Sequence, residues 1–351
     1  EKGKPTITRG LSLSLSRHLT RSLSEAMTDA QAAAAAQGES SLDLGQVRRD
    51  FDAQGCGLVP RFCSQEECQE LRQRIVELVR EWAEPPPEQG GVFRTDEGQT
   101  KAQGAEDYFI SSACKVRFFW EANAAKQRDP EDPEKTLLQL NKIGHGLHEC
   151  DPSFKRYSHS DKVRKLVHAL GWKSPVLPQS MYIVKNPVIG GEVTAHQDSS
   201  FLFTEPKPTC LGLWLALDDC DLENGCLWYR PGSHSEPVRR QFRREVDPAD
   251  GVVKMNFKQL VPDEQMSPLE GKSVPLEGAH DTLKQHGFIP VECKAGDLVL
   301  IHGQVEHLSL PNTSTRPRHS FQLHLVDSAD GVEWSPQNWL QYPAGQAFAA
   351  L

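Results

Sequence analysis

From Val176 onward the chain breaks into short strand-like runs, Ser180–Val184, Glu192–Asp198, Leu211–Leu217, Cys226–Tyr229, Asp297–His302 and Ser320–Val326, divided by Gly, Pro, Asn and Asp. Runs this short fall below the length of a core helix, and the residues between them are those that turns demand. Strands in such a series must hide their edges and one face of each ladder. A mainly β fold with supporting helices is therefore expected, a barrel or a jelly roll, that is, a double-stranded β-helix.

The support comes earlier in the chain. Leu44–Gln54 reads as a helix and Gly55–Arg61 as a short strand; Ser64 and Glu67 then have the spacing of a capping box. Cys68, Leu71, Ile75, Leu78, Val79 and Trp82 recur on one helical face until Pro85-Pro86-Pro87 ends it, and a further helix is expected over Lys162–Leu170, closed by Gly171. Residues 44–351 are read as one domain. Glu236–Gly287 interrupts the strands with charge and Pro, and is expected to be a long loop or lid.

Residues 1–43 are expected to be a disordered extension, because Glu1–Ser41 is rich in Ser, Leu, Arg and then Ala and has no aromatic anchor. Its start is acid-poor like a transit peptide, but the preferred reading is an extension ahead of a start at Met27, with the cytoplasm as compartment. The longest apolar run, Cys210–Leu217, is far short of the ~18 residues a membrane helix requires, so no membrane association is expected. A net charge of −9 argues against nucleic acid as a partner, and no protein partner is evident; a small molecule is the expected substrate. The nine cysteines contain no Cys-x-x-Cys pair and suit reduced thiols.

Chemistry concentrates at His196-Gln197-Asp198. On a strand, His196 and Asp198 point to one face and can grip one ion while Gln197 points away. A third ligand is available in the run from Leu298 through His302 to His307, and Arg318 follows His307 by eleven residues. Two imidazoles and a carboxylate on a sheet are the facial triad of non-haem Fe(II) oxygenases, with open positions for 2-oxoglutarate and O₂. The distal carboxylate of 2-oxoglutarate needs a bidentate cation; Arg318 fits, with Arg316 as the runner-up.

The chain resembles the phytanoyl-CoA dioxygenase family of Fe(II)/2-oxoglutarate oxygenases. The resemblance runs from about Leu44 to the end. It is carried by Asp107-Tyr108-Phe109, Lys115 to Phe119, Asn141 to His145, Gln179 to Tyr182, the His196 motif, Glu223 to Trp228, Pro231 to His234, and His307 to Arg318. It implies a jelly roll, iron held by His196, Asp198 and His307, and Lys142, Met181, Gln197, Trp214, Ser309 and Arg318 around 2-oxoglutarate. It also implies hydroxylation of a C–H bond of a small molecule, with an acyl-CoA as one candidate, coupled to decarboxylation of 2-oxoglutarate; the alternative is a catalytically silent jelly-roll binding module. His302 competes with His307, but only His307 leaves the eleven-residue spacing to Arg318. His234 is expected in a structural turn, and His319 and His324 as core or surface residues. The interval from Asp198 to His307 is long for the family because of the 236–287 segment.

Overall fold

The computed structural model describes residues 43–82, 91–93, 95, 106–246, 249 and 253–351. The expected extension lies outside them except for Asp43, which caps the first helix, α1 (Leu44–Gln54), by accepting from the amides of Gly45 and Gln46. Helix α2 (Gln65–Glu81) opens with the expected capping box: Ser64 accepts from the Glu67 amide and Glu67 from the Ser64 amide. Two of the orphan donors of the first turn are thereby satisfied. Cys68, Leu71, Ile75 and Val79 are the buried stripe of α2, and Val163, Leu166 and Val167 that of α3 (Asp161–Ala169).

These stripes pack on a large sheet. Its strands run in the order β1 (Cys56–Val59), β13 (Leu298–His302), β8 (Leu211–Ala216), β15 (Arg318–Asp327), β5 (Pro175–Lys185), β4 (Leu140–His145), β3 (Val116–Glu121) and β2 (Val92–Phe93), with β17 (Ala349–Ala350) also on β5. Strand periodicity sorts the side chains. Leu211, Leu213, Leu215, Phe321, Leu323 and Leu325 join the helices in one apolar core. The alternate residues, among them Trp214 and Ile301, face a second, four-stranded sheet of β12 (Ile289–Val291), β9 (Leu227–Tyr229), β14 (His307–Ser309) and β6 (Val193–His196). Two facing, largely antiparallel sheets with helices on one outer face are the expected jelly roll. All nine cysteines are free, and no helix of the described residues is long and apolar enough to cross a membrane.

The segment read as a long loop is more ordered than expected. It contains the paired strands β10 (Arg240–Val246) and β11 (Val253–Gln259) and helix α4 (Ala279–Gln285). Its charge misled because three of those charges, Arg239, Arg240 and Glu270, are buried and paired. Arg239, 1% exposed, bonds Glu270 at 2.6 Å and Glu236 at 3.0 Å and lies 3.4 Å from Glu306; Arg240 bonds Glu270 at 3.0 Å. Phe242 and Met255 complete the anchorage on the apolar side.

Such a cluster is held by its completeness, since removing one member strands the others without water. Glu270→Ala should destabilise the fold by about 3–5 kcal/mol, leaving two buried guanidinium groups without their shared carboxylate. The urea midpoint measures this; a change below about 1 kcal/mol would show that the cluster does not hold the segment.

Candidate metal and co-substrate site

Between the two sheets lies a cavity of about 130 Å³. At ~10–15 Å³ of such space per water, it has room for roughly ten water-sized bodies, the scale of one small molecule. The large sheet contributes Lys142, Met181, Trp214, Arg318 and His324; the small sheet and its turns contribute His196, Asp198, His307 and Ser309.

The histidines meet through register: β14 pairs antiparallel with β6, and His307 stands directly opposite His196. Strand β6 ends at His196 and Asp198 opens a 3-10 turn, so His196 and Asp198 do not share one strand as expected. Gln197 nevertheless keeps extended angles (φ −112°, ψ 130°), so the alternation carries through and Asp198 points back towards His196. Asp198 Oδ1 lies 3.4 Å from His196 Nε2 and 3.6 Å from His307 Nε2, and the three ligand atoms are all within 4.8 Å of one another.

The tautomers follow from the backbone. His196 Nδ1 is 2.8 Å from the Thr194 carbonyl oxygen and His307 Nδ1 is 3.1 Å from that of Val305. A carbonyl only accepts, so each Nδ1 carries a proton, and the neutral ring turns the Nε2 lone pair inward. Two lone pairs and a carboxylate oxygen converging in a buried space call for a cation. This donor set fits a divalent transition metal such as iron. Burial lowers the His196 pKa, but the adjacent Asp198 carboxylate outweighs it and raises it; burial and the neighbouring His196 push His307 down to about 4. Burial also opposes ionisation of Asp198, yet His307 and His324 hold its carboxyl well below the usual range.

Two buried basic side chains flank the triad. Arg318 is 2% exposed, lies 5.1 Å over the Trp214 ring, and gives one hydrogen bond, to the Gly225 carbonyl at 3.2 Å. Its Nε has no partner, and among the described residues no carboxylate pairs with it. Lys142 is also 2% exposed; its Nζ sits 3.2 Å from the Phe93 ring centroid and 3.8 Å from Met181 Sδ, and burial pushes its pKa well down. Cations kept dry without anions are expensive, and an anionic ligand would balance them.

Not every residue of the sequence reading arrives here. Gln197 faces away from the cavity: it accepts from the Arg239 amide at 2.9 Å and donates to the carbonyls of Gln304 and Pro237 at 2.8 and 3.2 Å, tying the 236–287 segment to β6. His302 packs elsewhere, against Phe51 and His234, and His234 sits in its turn with Nε2 3.1 Å from the Asp52 carbonyl. Arg316 is an exposed partner of Asp221. His319 bonds the Tyr182 hydroxyl at 2.7 Å in the core. His324 departs from expectation: it lines the cavity, with Nε2 3.4 Å from Asp198 Oδ2. Its even offset from Arg318 on one strand was the available signal. The aromatic wall of Phe93, Phe109, Phe201, Phe242 and Trp339 was not anticipated either, for its members come from separate elements.

The model of the phytanoyl-CoA dioxygenase family matches residues 51–320. The chain belongs to the phytanoyl-CoA dioxygenase family. Membership places it among the iron- and 2-oxoglutarate-dependent dioxygenases, with iron as cofactor and 2-oxoglutarate as co-substrate. Similar relatives within the family include phytanoyl-CoA dioxygenase domain-containing protein 1 of Bos taurus, 42% identical over 83% of this chain and 92% of the relative. Another is the phytanoyl-CoA dioxygenase of Arabidopsis thaliana, 38% identical over 83% of this chain and 91% of that one.

Solved structures share the fold of this family member. The α-ketoglutarate-dependent epimerase SnoN from nogalamycin biosynthesis superposes with a TM-score of 0.54 at 15% identity, covering 87% of this chain and 91% of that chain. EctD from S. alaskensis, solved with 2-oxoglutarate and 5-hydroxyectoine, gives 0.51 at 16% identity, covering 85% and 82%.

Proposed function

We propose that this chain hydroxylates a C–H bond of a small molecule, using Fe(II) held by His196, Asp198 and His307 while decarboxylating 2-oxoglutarate to succinate and CO₂. The observation that carries this reading is the pairing of three converging ligand atoms with two buried basic side chains, Arg318 and Lys142, that meet no carboxylate among the described residues. One set asks for a dication and the other for a carboxylate. Iron with bound 2-oxoglutarate and O₂ supplies the oxidising power; the chain's own residues bind, orient and exclude water.

In this assignment Arg318 receives the distal carboxylate of 2-oxoglutarate with Trp214 beneath it. Lys142, Met181 and Ser309 line the same chamber, and Lys142 offers a second cation to the dianion. The aromatic wall leaves an apolar approach suited to a carbon skeleton. An acyl-CoA is one substrate class worth testing, since the relatives named above carry phytanoyl-CoA in their names.

Oxygenases of this type turn over slowly without their primary substrate when O₂ reaches the site. The iron-loaded protein should release succinate from 2-oxoglutarate under air and none under nitrogen, and a panel of acyl-CoAs and metabolites should raise the rate. Persistent absence of succinate from folded, iron-replete protein with that panel present would favour a silent binding module.

A further inference from the structure

The two oxygens of the Asp198 carboxylate have different surroundings. Oδ1 faces the Nε2 atoms of His196 and His307, whereas Oδ2 turns to the large sheet, 3.4 Å from His324 Nε2. Oδ2 is buried and makes no hydrogen bond within the described residues, so the His324 imidazole at 3.4 Å is an ion-pair contact that a small shift would turn into a hydrogen bond. Room for it there is a local property of β8: a Cβ placed on Gly212 would stand 3.3 Å from Oδ2, and Gly212 is the register partner of His324 across β8 and β15. A side chain at 212 would crowd the carboxylate away from the imidazole.

The position of His324 is fixed by the strand that carries Arg318. The two are six residues apart, an even offset, so both face the cavity while Phe321 and Leu323 face the helices. Its tautomer is constrained as well. A proton on Nδ1 would be a buried donor without a partner and would aim the Nε2 lone pair at a carboxylate oxygen. A proton on Nε2 replaces the lone-pair repulsion with an attraction to the carboxylate and leaves only Nδ1 as an unpaired acceptor.

We infer that His324 is a positioning residue that donates its Nε2 proton to Asp198 Oδ2 and so presents Oδ1 alone to the metal. This rests on the metal-centre reading above and adds a group that makes no contact with the ion. Its consequence is economy of coordination: a carboxylate held by one oxygen is kept from chelating with both, which leaves room for a co-substrate. Partners one bond removed from a metal ligand commonly alter metal affinity by about 10- to 100-fold.

The full-length apoprotein, titrated with Co(II) alone and followed by its visible absorption, tests the assignment in the wild type and in His324→Ala, His324→Gln and His324→Asn. Glutamine places an amide N–H near the position of Nε2, whereas asparagine places it near that of Nδ1. Co(II) affinity should fall about 10- to 100-fold in the Ala and Asn variants and stay near wild type in the Gln variant, with apoprotein melting curves confirming the fold. If Ala does not fold, the comparison of Gln with Asn decides, since a merely structural role would treat the two amides alike. Equal affinity in all proteins, or equal loss in Gln and Asn, overturns the assignment of His324 while leaving the metal centre standing. Failure of the wild type to bind Co(II) would instead overturn the metal-centre reading itself.

Discussion

Asp198→Ala should leave the protein folded, nearly free of iron after reconstitution, and without succinate production under air. The carboxylate is the one anionic member of the triad and the hub of its geometry, with an oxygen within 3.4–3.6 Å of Nε2 on each of His196 and His307. Two neutral imidazoles bind a dication far more weakly than two imidazoles and a carboxylate. A loss of at least about 100-fold in metal affinity is expected, with similar outcomes for His196→Ala and His307→Ala. His302→Ala serves as the control from the neighbouring strand, because its ring packs on Phe51 and His234 and not on the cavity; its iron content should be unchanged. The fold should survive in Asp198→Ala, since removing a buried carboxylate relieves a desolvation cost. Iron retained by Asp198→Ala and lost from His302→Ala would reverse the ligand assignment.

Arg318→Ala should weaken 2-oxoglutarate binding on the order of 100- to 1000-fold, the equivalent of about 3–4 kcal/mol for a desolvated bidentate partner. Fe(II) occupancy should stay near wild type, because the guanidinium is not a metal ligand. A second expectation separates a functional role from a structural one. Arg318 is buried with a single hydrogen bond and no carboxylate partner among the described residues, so its charge is maintained at the expense of apoprotein stability. Arg318→Met should therefore unfold at the same urea concentration as wild type or a higher one, while failing to bind 2-oxoglutarate. Arg316→Ala should change neither property, since that side chain is about half exposed and its pair with Asp221 is a surface pair. Equal binding defects in the Arg316 and Arg318 variants, or none in either, would remove the co-substrate assignment from Arg318.

Much of this protein was determined by local sequence. Capping by Ser64 and Glu67, the apolar stripe of Gln65–Glu81 and the turn-punctuated strands after Val176 depend on neighbours a few residues apart, and such patterns are visible in one dimension. The even spacing of His196 and Asp198 belongs to the same class: it needs only an extended backbone, and survives although the strand itself stops at His196.

Tertiary structure decided what depends on register and burial. Which distant histidine joins the pair is settled by the antiparallel register that sets His307 opposite His196 and leaves His302 on another face. The charged stretch after Glu236 had the composition of a solvated loop, but Glu270 and Glu306 neutralise Arg239 and Arg240 inside the protein, and composition carries no sign of such pairing. His324 belongs to the same class: its side chain reaches the cavity because its strand pairs with Leu211–Ala216, about a hundred residues away, which brings it beside Asp198.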